Sequence, residues 1–187
     1  IADGLAKQGY LALCPDLFWR QEPGIQITDK SEAEWQRAFQ LFNGFDVDKG
    51  VEDLKATLDT LRKTPGCSGK VGTVGYCLGG KLAFLMATRS SADCNVSYYG
   101  VGLDGLVGEA SKITKPTMLH IAELDKFVPP ESQKKVKDGL AGNAHVTIHS
   151  YPGVDHAFAR EGGQHWNAQA AGLANQRSAD FFRKHLG

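Results

Sequence analysis

Short apolar runs alternate with helix-period stripes along most of this chain. Tyr10-Leu11-Ala12-Leu13-Cys14 is a continuous apolar run stopped by Pro15-Asp16, which predicts a buried parallel strand running into a loop. Residues 21–28, with Pro23 and Gly24, read as a connector. Trp35, Ala38, Phe39 and Phe42 then recur at helical spacing until Asn43-Gly44. Val47, Val51, Leu54, Leu58 and Leu61 make a longer stripe, broken at Pro65-Gly66. Residues 70–74 predict a strand and 81–87 a helix; residues 94–99, 116–122 and 144–151 predict three more strands. A helix is expected over 130–140, and a last one from near His165 to Lys184. Strands alternating with helices imply an α/β fold, a mostly parallel, doubly wound sheet covered on both faces.

Composition adds bounds rather than function. At 187 residues and 42% apolar content, one well-buried core fits and two do not, so residues 1–187 read as a single domain. Gly9 reads as the cap of an opening helix, so the chain is expected to begin inside that domain, with N-terminal strands of the sheet missing. Lysine plus arginine and aspartate plus glutamate both number 21, leaving no net field to gather nucleic acid or an anionic membrane. No apolar run reaches the length of a membrane span, and no signal-peptide pattern opens the chain. Cys14, Cys67, Cys77 and Cys94 lack C-x-x-C spacing, which argues against a zinc knuckle or a dithiol pair and fits a reducing cytoplasm.

Chemistry enters at Gly75-Tyr76-Cys77-Leu78-Gly79-Gly80. A strand, a Gly-x-nucleophile-x-Gly turn and a helix make a nucleophile elbow, here with sulfur in place of the usual hydroxyl. The turn is sharp, so Gly75 and Gly79 are expected to be glycine because a Cβ would collide with strand or helix. Cys77 then sits at a helix N-terminus, where backbone N–H groups favour thiolate. Alone, the motif is equally well a glycine-rich turn with a buried structural cysteine.

Two further residues change that balance. Asp125 follows the strand at 116–122, and His156 follows the strand at 144–151. Ligands bind beyond the carboxyl ends of the strands in such sheets, and nucleophile, acid, histidine is the chain order of the α/β-hydrolase triad. Glu123 is a rival acid, and Asp155 reads as a turn cap. His120, His145 and His149 fall within strands as packed or solvated residues, while His165 and His185 read as helix-face residues. None has neighbours at metal-ligand spacing, so no metal is expected.

Together these segments resemble the dienelactone hydrolase family. The likeness runs through Cys14-Pro15-Asp16-Leu17, Lys49-Gly50-Val51, Val74 to Gly80, Tyr98-Tyr99-Gly100-Val101, Asp125-Lys126-Phe127-Val128-Pro129 and His156-Ala157-Phe158-Ala159-Arg160. It implies a small cytoplasmic enzyme that opens an unsaturated lactone without a cofactor, as a monomer or weak homodimer acting on a small-molecule lactone or ester. By resemblance, Cys77 attacks the carbonyl, His156 is base and acid, Asp125 orients it, and the Leu78 N–H forms half of an oxyanion hole. The family's substrate carboxylate is gripped by arginines, and Arg160 holds the matching place, its bland reading being a solvated surface residue. Arg20, past the first strand run, is a second candidate, and Tyr98 a third contact. The family's other arginine is replaced by Trp35, with Arg37 two residues on, and a family tyrosine by Phe39. Trp35 and Phe39 fit an apolar helix stripe equally well. Besides the lactonase, a general carboxylesterase or thioesterase of the same fold and a non-catalytic hydrolase-like binding domain stand as alternatives. A redox-sensing thiol would need Cys67 or Cys94 close to Cys77.

Overall fold

The computed structural model describes residues 1–187, which fall into two compact units, 1–69 and 70–187.

In the first unit, helix α1 (Ala2–Ala6) ends in a turn at Gly9, whose φ is +93°. Helix α2 (Glu32–Asn43) starts where the Ser31 side chain accepts the Glu34 N–H, and Glu34 answers through its carboxylate to the Ser31 hydroxyl, a reciprocal cap. Helix α3 (Val47–Lys63) is capped by Asp46 in the same way through the Lys49 N–H. Val51 and Leu58 of the expected stripe are buried. Tyr10–Cys14 is not the strand its composition suggests. A strand exists through a ladder with a neighbour; residues 11–14 join no ladder, and Leu11 and Leu13 are exposed.

The second unit is built on four parallel strands in sequence order: β1 (Gly72–Tyr76), β2 (Cys94–Tyr98), β3 (Thr117–Ala122) and β4 (Val146–Tyr151). Helix α4 (Leu78–Arg89) connects the first pair, two 3₁₀ turns (Leu103–Gly105 and Val107–Lys112) the second, and helix α5 (Pro130–Leu140) the third. Pro130 at the first position of α5 supplies a preset φ where no N–H partner is needed. Helix α6 (Ala168–Leu186) closes the unit, its first turn capped by the Asn167 side chain on the Ala170 N–H. That cap sets the start three residues later than the apolar pattern predicts and leaves His165 in the preceding loop.

All of β2 is buried, as expected of a strand covered on both faces. Neighbouring residues point to opposite faces. Ser97 donates to the Gly80 carbonyl in α4 at 2.8 Å, while the Tyr98 hydroxyl meets Ser178 at 2.6 Å and Asn175 at 3.1 Å in α6. Below the sheet on the α4 side, Phe84, Leu103, Ile113, Leu119, Ile121, Val136 and Leu140 form one apolar cluster. Parallel register aligns Tyr76 with Tyr98, Tyr98 with His120 and Ala122 with Tyr151, so the carboxyl ends of all four strands share one edge.

Candidate active site

Cys77 lies at the end of β1 and the start of α4, with φ +56° and ψ −115°, a conformation that few side chains adopt. Its N–H donates to the Tyr98 carbonyl at 3.1 Å and its carbonyl accepts from Lys81, so the strained residue is held at both ends. A Cβ on Gly75 would lie 1.9 Å from the Gly79 carbonyl oxygen, which leaves no room for any other residue there. Gly79 differs from expectation: a Cβ there meets nothing within 4 Å. The second obligatory glycine is Gly80, where a Cβ would stand 2.6 Å from the Tyr98 carbonyl oxygen and 2.9 Å from Gly100 Cα. Close packing of α4 on the end of β2 makes that demand. Leu78, the first residue of α4, presents one of the N–H groups that a helix start leaves without an intrahelical acceptor.

His156 is buried, and its Nδ1 is 2.8 Å from Asp125 Oδ2. The other oxygen of Asp125 accepts the N–H groups of Phe127 (2.8 Å) and Val128 (3.2 Å), fixing the carboxylate. With Nδ1 taken, interaction with Cys77 falls to Nε2, which is buried and short of a full hydrogen bond. Burial alone would lower the imidazole pKa, but Asp125 on one side and Cys77 on the other outweigh it and raise it to about 9. Tyr99 and Phe127 pack edge-on against the ring, with ring centroids 5.0 and 4.9 Å away.

Tyr98 and Tyr99 divide their roles differently from the sequence reading. Tyr98 is the packed residue, its hydroxyl committed to α6, whereas Tyr99 turns toward His156 with φ +38°. Burial holds the Tyr99 phenol far above its ordinary range, and both Cys77 and Arg160 lie near enough for their charges to act on it. Arg160 itself is exposed, four residues after His156 in the same loop. His165 is a loop residue whose Nδ1 is 3.0 Å from the His156 carbonyl oxygen. His120 packs within the sheet between the Tyr151 hydroxyl and Ser178. Cys94 is buried, with its pKa pushed up to about 12 by that burial and by Asp93. A cavity of about 20 Å³ behind Asp125 is too small for a substrate.

Arg20, Trp35 and Phe39 belong to the first unit. There Arg20 makes a two-point ion pair with Asp53 (3.0 and 2.7 Å). Trp35 stacks on Phe39 at 5.7 Å, with both rings partly exposed. Arg37 is paired with Glu22. Tyr99, Phe127, Asp155 and His165 lie near His156 and were not singled out as functional by sequence reading. Doubled tyrosines at the end of a strand are the one signal for Tyr99, and only the strand's exact end decides which of the two turns inward.

This sheet, with a cysteine elbow and a histidine–carboxylate pair at its carboxyl edge, has the α/β-hydrolase fold. A solved structure from Klebsiella pneumoniae superposes with a TM-score of 0.82 at 25% identity, over 96% of this chain and 78% of that one. The model of the dienelactone hydrolase family matches residues 1–186. A relative from Azospirillum brasilense is 56% identical over 197 residues, covering all of this chain and 80% of its own length. The carboxymethylenebutenolidase of Pseudomonas putida is 41% identical over 177 residues, 95% of this chain and 75% of its own. The chain belongs to the dienelactone hydrolase family and is a carboxylic-ester hydrolase. No helix is long and apolar enough to cross a membrane.

Proposed function

We propose that this chain opens a small, carboxylate-bearing lactone, or cleaves an equivalent ester, through Cys77, His156 and Asp125. The observation that carries this reading is the 2.8 Å bond from His156 to Asp125, made by a ring whose other nitrogen is left to Cys77. The thiolate of Cys77 attacks the carbonyl carbon, and the resulting oxyanion accepts the Leu78 N–H, a donor worth about 2.7–4 kcal/mol in such sites. Collapse expels the ring oxygen as an alkoxide, which takes the Nε2 proton of the imidazolium. Water then attacks the thioester while Nε2 accepts its proton, and collapse releases the acid and expels the Cys77 thiolate beside the re-formed imidazolium. Asp125 keeps the proton-bearing side of the ring turned toward the reaction. Arg160, at the rim of the His156 loop, is assigned the substrate carboxylate, a planar guanidinium pairing with two oxygens at once.

One family model matching residues 1–186 supports reading both compact units as parts of a single hydrolase domain. The Pseudomonas putida relative's name supports the butenolide ring as the substrate class. The test is turnover of cis- and trans-dienelactone beside simple aryl esters, with and without iodoacetamide. Alkylation at Cys77 should stop turnover, and Cys77→Ala should lose kcat by up to about 10⁶-fold, the scale of removing a nucleophile. A Cys77→Ala protein that still turns over at the wild-type rate excludes the mechanism.

A further inference from the structure

The His156–Asp125 pair bridges two irregular loops, residues 123–129 after β3 and residues 152–167 after β4. The strand ladder between them ends at Ala122 and Tyr151, so something beyond the sheet must set their spacing. Backbone contributes two bonds past that point, from the Glu123 N–H to the Tyr151 carbonyl and from the Leu124 N–H to the Val154 carbonyl, each at 3.0 Å. Asp155 contributes more. Its Oδ1 accepts the N–H of His156 at 2.7 Å and that of Lys126 at 3.2 Å, while Oδ2 is 3.4 Å from Lys126 Nζ. The Asp155 side chain is mostly buried, whereas that of Lys126 is 79% exposed, so the N–H bonds rather than the ion pair do most of the holding. On the other side of the same residue, His165 holds the His156 carbonyl. Ala157 follows with φ +62°, a turn that only a tightly fixed loop sustains.

We propose that Asp155 is a positioning residue: it fixes the histidine loop against the acid loop and so keeps His156 Nδ1 within bonding range of Asp125. This role rests on the reading of Cys77, His156 and Asp125 as the reacting set. Burial alone would raise the Asp155 pKa, but the two N–H donors, Lys126 and the nearby His165 outweigh it and hold the carboxyl below its ordinary range. It accepts both bonds as an anion. Asp155 touches no reacting atom; it acts through the placement of His156, and a misplacement of about 1 Å lowers a rate by as much as ~10²-fold.

The test uses the full chain with Asp155→Ala and Asp155→Asn, reading hydrolysis of p-nitrophenyl acetate and the NMR titration of the His156 ring. Asp155→Ala should lower kcat about 10- to 100-fold, change KM by less than about threefold, and move the His156 titration downward as its bond to Asp125 loosens. Asp155→Asn keeps one carbonyl oxygen able to accept both N–H groups and should restore kcat to within about fivefold. A residue that only stabilised the fold would lower Tm without moving the titration or kcat per folded molecule, and that result overturns the role. So does an Asp155→Asn protein as impaired as Asp155→Ala. Should Asp155→Ala fail to fold, Asp155→Glu pushes the carboxylate out by one methylene and must reproduce the loss of kcat and the lowered titration; wild-type behaviour there also overturns the role. Cys77→Ala, assayed alongside, separates the two layers. Full turnover without Cys77 removes the triad reading itself, whereas an inactive Cys77→Ala beside a normal Asp155→Ala removes only the positioning role.

Discussion

Gly75 and Gly79 meet backbone to backbone across Cys77, so close that a Cβ on the first would fall 1.9 Å from the carbonyl oxygen of the second. The crowding is one-sided, since Gly79's own Cβ direction is open while that of Gly80 is blocked by Tyr98 and Gly100. Gly80→Ala should therefore destabilise by about 1–3 kcal/mol or more, the scale of forced backbone shifts. Gly79→Ala, in the first turn of a helix, should be neutral or stabilise by up to about 1 kcal/mol. Urea unfolding of the two variants checks the order, and a Gly80→Ala protein as stable as wild type would contradict the packing.

His156 should titrate near 9 rather than 6.5. Because the folded value is the higher one, the bound proton stabilises the fold fully below pH 6.5, and this contribution is lost as pH rises toward 9. The shift corresponds to roughly 3 kcal/mol. Asp125→Asn and Cys77→Ala should each bring the titration down, since burial then acts against fewer partners. Imidazole NMR across about pH 5–10 measures it.

His120 has the opposite sign. Burial first, then the charges of His149 and Arg177, hold its pKa down to about 3. The unfolded chain binds the proton more readily, so stability is present above pH 6.5 and lost as pH falls toward 3, approaching roughly 5 kcal/mol. His120→Gln should flatten this acid limb while lowering stability at neutral pH, because Tyr151 and Ser178 lose their shared partner. Denaturant midpoints at a series of pH values report both effects. With His156 acting on the alkaline side, the stability maximum belongs near neutrality.

Arg160→Ala should weaken a carboxylate-bearing substrate by about 1.5–3 kcal/mol, the worth of a charged hydrogen bond. The ratio of kcat/KM for dienelactone to that for a neutral aryl acetate would then fall about 10- to 150-fold. An unchanged ratio assigns the substrate carboxylate elsewhere and favours a general esterase.

Legibility in the sequence followed the physics of each element. Pro130 marked the start of α5, and Pro65-Gly66 the end of α3's stripe, because both act locally. Residues 11–14 misled because an apolar run reports burial potential and not a pairing partner. The 3₁₀ segments at 103–112 went unseen, since their turns are too short to show a period. Cys77, Asp125 and His156 were legible as residues at strand ends. The division between Tyr98 and Tyr99, and between Gly79 and Gly80, hangs on single-residue register and on backbone approaches that no composition encodes. Asp155 looked like a turn cap because its second loop lies 29 positions away in the chain.

Cys77's positive φ is sustained only by the contacts around it, at an expense of about 1–3 kcal/mol. Reactivity at this sulfur is thus conditional on assembly: before the chain folds, residue 77 is one thiol among four, with no imidazolium beside it. With Cys77 as the proposed nucleophile, a newly made or denatured molecule carries no armed sulfur, and the rate at which this one position is alkylated, compared with the other three, should gauge how much of the population is native.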